Sequence, residues 1–250
     1  MAINYNDLYW KFIDRQRLNF ERKVKPMVKS GLRKTLKPFI DSLSSVNSIE
    51  DIRERISYIQ PGEVQKLYFD IYTLVGSFFA KQTYNKFKSK ALNLKNENEL
   101  DSFWMMQMRL FVETTALDRI LDITENTREF IRSALALAVD QGWGIEETVR
   151  YIKANDIGMQ AYRIARIART EVIAASNKGS IIGAKTTGLR LNKEWISTRD
   201  SRTREAHLSL DGAVVPLDSE FSNGLEYPGD LDAPASEVVN CRCAIGYIPV

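Results

Sequence analysis

Apolar residues recur at helical spacing through the first three-quarters of the chain and at strand spacing only near its end. Tyr9, Phe12, Ile13 and Phe20 keep to one side of a helix. Pro26 and Pro38 are expected to kink or divide it, because proline lacks the N–H of the helical ladder and crowds the preceding turn. Ile49, Ile52, Ile56 and Ile59 form the stripe of a second helix, opened by Ser48 and closed by Gln60-Pro61-Gly62. A third runs from about Glu63 to Leu94 and turns Leu67, Ile71, Leu74 and Phe78 inward, then Thr83 to Phe87. Lys95 to Glu99 reads as a loop, followed by a helix over Leu100 to Val112 that carries Trp104, Met105, Met106 and Met108. Thr124 is the expected N-cap of a helix bearing Ile131, Leu135 and Val139 and ending at Gly142-Trp143-Gly144. Ile145 to Ala154 makes a short helix. Met159 to about Lys185 makes a long one with Ile164, Ala168, Val172 and Ala175 on one face.

After Gly188 the period changes. Trp195-Ile196-Ser197, Ala213-Val214-Val215 and Cys241 to Ile248 read as short strands, with turns at Asp211-Gly212 and Pro228-Gly229-Asp230. The fold class is therefore α+β. A mainly helical N-terminal body (1–158) suited to docking is expected to precede a small, loop-rich α+β C-terminal module (159–250). With 250 residues, 44% of them hydrophobic, the chain has the means to build a packed core, which argues against global disorder. No apolar run reaches bilayer length and the opening residues lack the apolar centre of a secretory signal, so no membrane insertion is expected and synthesis in a cytoplasm is.

Charge is informative through its distribution. Ten Lys and Arg residues lie between Lys11 and Lys37, opposed there only by Asp14 and Glu21, whereas acidic residues dominate from Asp200 onward. Lys11, Arg15, Arg22, Lys23, Lys29, Arg33 and Lys34 are candidate contacts to a phosphate backbone, as in nonspecific double-stranded DNA binding, or to an acidic protein surface. The plain alternative is a solvated helix face. The Met- and aromatic-rich stretch Trp104 to Met108 offers a second docking surface.

An ordered set of short motifs fills the last third of the chain. It comprises Ile164-Ala165-Arg166 through Arg169-Thr170-Glu171, Asn177 and Gly179, Lys193-Glu194-Trp195, and Asp200 with Arg202 and Arg204. His207, Leu210-Asp211-Gly212, Tyr227-Pro228-Gly229-Asp230 and Asn240-Cys241-Arg242-Cys243 complete it. This set resembles the phage head morphogenesis family, the Mu F-like minor head (minor capsid) proteins. One departure is Leu231-Asp232-Ala233-Pro234, where the family usually places its second proline sooner. The resemblance implies a minor virion protein inside the capsid or near the portal, assembled in the host cytoplasm. Its implied partners are the portal protein and capsid or scaffold proteins, and its implied work is assembly, genome packaging or ejection.

The polar motif residues admit chemical readings as well. Cys241 and Cys243 share a face on an extended strand, and with His207, the one histidine, they offer three zinc ligands. Asp200, Asp211 or water would complete the set. The favoured reading is a packed structural knot without a cofactor, and two cysteines are too few for a disulfide framework. Arg166, Arg169 and Glu171 suit a buried ion network reaching Asp200 or Asn177 better than an active site. Asp200, Arg204 and His207 are expected to orient a hairpin at Asp211-Gly212, with Asn240 among the residues that hold the module. No nucleophile is spaced to serve an Asp–His pair, so no catalytic residue is assigned. Glu97-Asn98-Glu99 matches the paired glutamates of some ADP-ribosyltransferases, but no Ser-Thr-Ser strand or paired arginine stands in order before it. The alternatives to a structural head protein are a zinc-dependent hydrolase or nuclease, and a delivered phage effector. Effectors append a catalytic domain after this module, whereas here seven residues follow Cys243.

Overall fold

The computed structural model describes residues 5–91, 96–155, 158–198 and 200–250, with backbone alone at 5–7 and 97. Seven helices come first: α1 (Tyr5–Ser42), α2 (Ile49–Arg55), α3 (Gly62–Phe87), α4 (Glu97–Thr115), α5 (Leu117–Asp140), α6 (Ile145–Ala154) and α7 (Ala161–Thr186). Then follow β1 (Leu191–Ile196), α8 (Glu205–Leu208), β2 (Val214–Pro216), α9 (Ala235–Val238) and β3 (Ala244–Pro249). The expected fold class, a helical body with a small α+β module, is the one found.

Two compact units divide the chain. One gathers Met1–Val24, Phe69–Thr115 and Arg166–Val250; the other gathers Lys25–Tyr68 and Ala116–Ala165. Neither is an uninterrupted stretch; the chain passes from the second back to the first between Ala165 and Arg166, seven residues beyond the cut expected after 158.

Local signals explain most helix ends. Ser48 caps α2, its hydroxyl accepting from the Asp51 N–H at 2.9 Å. Gly142, at φ +66°, stops α5 where a side chain would be strained. Several expectations fail for identifiable reasons. Helix α1 runs unbroken through Pro26 and Pro38. Both prolines are exposed while Val24, Val28, Leu32, Leu36 and Phe39 between and around them are buried, so packing of the apolar stripe outweighs the two missing bonds. Thr124 is no cap: it lies inside α5, buried, donating to the Ile120 carbonyl at 2.8 Å. Helix α3 ends at Phe87, and Leu94 and Lys95 fall outside the described residues. Its inner face carries Tyr72, Val75 and Phe79, leaving Leu74 and Phe78 exposed. Helix α4 opens at Glu97, inside the expected loop, with the Asn96 side chain accepting from the Glu99 N–H at 2.9 Å. Along α4, Trp104 and Met108 are buried but Met105 and Met106 are exposed.

In the first unit α3 and α7 meet without side chains between them. A Cβ on Gly179 would lie 2.1 Å from the Gly76 carbonyl oxygen, and one on Gly183 would lie 2.1 Å from that of Ala80. Glycine is required at both positions by this backbone approach. A three-stranded antiparallel sheet of order β2-β1-β3 follows, with Glu194 opposite Val214 and Gly246. Beneath it Trp195, Leu210, Phe221, Leu225, Val238, Cys241 and Cys243 form one apolar cluster. The β1–β2 connection is a long excursion through α8, not the tight hairpin expected at Asp211-Gly212. Gly212, at φ +80°, only turns the chain into β2, its N–H bonding the Trp195 carbonyl.

The second unit is all helical. Its buried Arg163 donates to the Gly158 and Ile123 carbonyls and to Thr127 Oγ1, so one guanidinium satisfies groups of α5 and of the turn before α7. Arg128 donates twice to the Ile59 carbonyl, at 3.0 and 2.7 Å.

Candidate functional site

The polar motif residues converge in the first unit, around the segment that leads into β3. That strand starts at Ala244, so Cys241 and Cys243 sit in irregular chain and not on the extended strand that alternation implied. Both thiols nevertheless point at one imidazole. His207 Nδ1 lies 3.7 Å from Cys241 Sγ and 3.6 Å from Cys243 Sγ. His207 Nε2 meets Glu237 Oε2 at 2.8 Å, and its ring packs edge-on against Trp195. All three side chains are at most 2% exposed. The hydrogen bond from the Cys241 thiol, with His207 and the Thr198 N–H, pulls Cys243 far below an ordinary thiol; the same contact pushes Cys241 up. Burial opposes the imidazolium, yet Cys243 and Glu237 outweigh it and raise His207.

The expected arginine–acid network has other partners than those foreseen. Asp200 faces neither Glu171 nor His207 as a partner; both its oxygens accept from Arg242 Nη2, at 2.7 and 2.6 Å, and Arg202 joins them. The Arg242 hydrogen bond leads the causes that bring Asp200 down to about 2. Arg169 reaches Glu21 of α1 at 3.4 Å and donates to Asn240 Oδ1. Glu171, buried, accepts from the Tyr72 hydroxyl at 2.9 Å. Arg166 is on α7 and exposed, outside any buried network. Arg204 donates to the Val239 carbonyl at 2.7 Å and Asp211 accepts the Ser197 N–H at 2.9 Å. Asn240 stands at φ +59°, a conformation asparagine tolerates better than most residues, with its N–H on Thr170 Oγ1.

Asn177 is the hub. Its amide donates to the Pro228 and Cys243 carbonyls, at 2.6 and 3.2 Å, and its oxygen accepts from Arg17. Arg17 also donates to Ser176 Oγ at 2.7 Å and to the Cys243 carbonyl at 3.0 Å. Arg17 was not among the candidate residues. Its signal was present: it sits on the apolar stripe Ile13, Phe20, Val24, Val28, where a charge is out of place unless it is paired. Chemically, the assembly ties α1, α7 and three loops together, and its buried groups hold one another.

Residues 129–246 match the model of the phage Mu protein F-like family. The chain carries a Mu F-like region. That region begins in α5, upstream of the motif set at Ile164, and ends in β3. Among curated relatives, the minor head protein GP7 of Bacillus phage SPP1 is 28% identical over 138 residues, covering 50% of this chain and 44% of GP7. An NAD(+)–arginine ADP-ribosyltransferase, EFV, of Enterococcus faecalis is 37% identical over 103 residues, 40% of this chain and 20% of that protein. An uncharacterized Bacillus subtilis protein, YqbB, is 28% identical over 127 residues, covering 48% of this chain and 41% of its own length. The chain thus spans less than half of each of these relatives. No solved structure matches it. Arg17 and Tyr72 lie outside the Mu F-like region yet complete its buried contacts, so the region is held by helices that precede it in the chain.

The Asp200–Arg242 pair gives a pH-dependent expectation. A carboxylate held below its unfolded value contributes stability above about pH 4, and that contribution is lost as pH falls through about 2. Asp200 is 35% exposed, so solvent screening limits the effect to about 1 kcal/mol. Urea unfolding of Asp200→Asn between pH 2 and 6 should show a deficit at pH 6 that closes toward pH 2. A deficit independent of pH would sink the ion-pair account.

Proposed function

We propose that this chain is a minor structural component of a tailed-phage head, associated with the portal and acting by binding, not by turnover. The observation that carries the reading is the Mu F-like match over residues 129–246, in which Asn177, Glu171 and Asp200 hold the chain together through contacts with other protein groups. The minor head protein among the relatives supports it. A catalytic role would need side chains left to meet a substrate, and His207, Cys241 and Cys243 are sealed. Asn98 and Glu99 line only a shallow surface hollow with Ser102 and Met106.

The docking arm is α1. Lys11, Arg15, Arg22 and Lys23 are exposed in the first unit, as are Lys29, Arg33 and Lys34 in the second. Lys11, Arg15 and Arg22 are spaced by four and seven residues, which keeps them on one side of the helix. Such a row suits the phosphates of packaged double-stranded DNA, with affinity that falls steeply as salt displaces the released counterions. Among the described residues no helix is long and apolar enough to cross a membrane.

The test is composition and activity together. Particles purified from an induced host should contain this chain in few copies alongside coat and portal proteins, and heads made without it should be defective. The isolated chain should bind duplex DNA, and Lys11→Glu/Arg15→Glu/Arg22→Glu should flatten the salt dependence by about three counterions. Tight DNA binding that ignores salt, or none at all, would transfer the arm's role to a protein partner. Absence from particles, or NAD-dependent arginine modification by the purified chain, would overturn the head-protein reading.

A further inference from the structure

We propose that His207, Cys241 and Cys243 form a structural zinc site that locks the C-terminal module. Their ligand atoms lie within 4.8 Å of one another, and all three residues are buried. Tetrahedral zinc, with Zn–S near 2.3 Å and Zn–N near 2.0 Å, separates sulfur from nitrogen by about 3.6 Å. The two observed separations are 3.7 and 3.6 Å. Both sulfur–nitrogen edges therefore have the length the ion would impose.

The surroundings match a metal-bound histidine. Nδ1 faces the two sulfurs, so the coordinating nitrogen is fixed, and Nε2 is left to donate to Glu237 at 2.8 Å. A carboxylate behind the far ring nitrogen sets the tautomer and strengthens the ligand. Cys243 also receives the Thr198 N–H, the kind of backbone bond that supports a thiolate ligand. The Thr198 hydroxyl, 3% exposed, has no hydrogen-bond partner among the described residues. With its own N–H on Cys243, Thr198 is the candidate to complete the set, directly or through a water. Asp200 and Asp211, the carboxylates suggested by sequence, are engaged by Arg242 and by the Ser197 N–H.

Charge and topology agree. Two thiolates neutralise Zn2+, so the loaded site carries no net charge into the interior. A buried cysteine–histidine nucleophile is disfavoured by the same burial, which would keep any sizeable substrate from either sulfur. The module also needs a clasp. Between β1 and β2, and between β2 and β3, the only helices among the described residues are the four-residue α8 and α9. Joining His207 to Cys241 and Cys243 closes both excursions at once.

Untagged full-length protein should carry one zinc per chain by elemental mass spectrometry. Cobalt(II) exchanged into it should give tetrahedral ligand-field bands with thiolate charge transfer, and Cys241→Ser should about halve the latter. Chelation should lower the melting temperature by about 5–15 °C, recovered by added zinc. If Cys241→Ser or His207→Ala fails to fold, the wild-type cobalt spectrum decides. Folded wild type that is metal-free with a melt indifferent to chelator and zinc, a Cys241–Cys243 disulfide, or a folded His207→Ala that keeps its zinc would each overturn the site.

Discussion

Replacing Arg17 by methionine should destabilise the first unit by about 3–5 kcal/mol, a loss of roughly 10 °C in melting temperature. The side chain is 2% exposed, and its guanidinium bonds Ser176, Asn177 and the Cys243 carbonyl. Methionine keeps most of the volume but strands these acceptors away from water, and a buried polar group left unmatched costs far more than a made bond contributes. The residue after Cys243 opens β3, so losing the anchor also loosens the strand's entry. Arg17→Lys should recover only part of the loss, because an ammonium on a shorter reach cannot serve three diverging acceptors as a planar fork does. Thermal and urea unfolding of the three proteins measure this. A methionine variant melting within about 2 °C of the parent would show that α1 is not held by this group.

Gly179→Ala should be at least as damaging, about 3 kcal/mol or more, and opposite in sign to the usual substitution. In a helix interior, alanine for glycine ordinarily adds about 0.5–1 kcal/mol of stability. Here the new methyl would sit 2.1 Å from the Gly76 carbonyl oxygen and 2.6 Å from its Cα. Those are backbone atoms of α3 and cannot rotate away, so the helices must part and lose contact along their length. Gly183→Ala meets the Ala80 carbonyl in the same way. Gly31→Ala is the control: its nearest neighbour is the Leu67 side chain at 3.0 Å, which is free to give a little, and the change should be close to neutral. Equal effects at Gly31 and Gly179 would contradict the close helix approach.

The amino-acid sequence by itself determined the helices, the α+β class and the family resemblance. These follow from period, turn chemistry and an ordered motif set, all local in the chain. Ser48, Gly142 and the Ile145–Ala154 helix were legible because the stop and start signals sit beside the residues they control. The placement of Cys241, Cys243 and His207 as a group was also readable, since few other residues offer that chemistry. What only tertiary structure decided is who meets whom. Arg242 was part of a motif, but nothing local says that it takes Asp200; Arg17 was one cation among ten until Asn177 and Cys243 closed on it. Thr124 and Pro26 misled because each has a local preference that burial of a long apolar stripe overrode. Gly179 has no local need for glycine at all, and its reason is the carbonyl of Gly76, a hundred residues away in the chain and about 2 Å from where a methyl would stand.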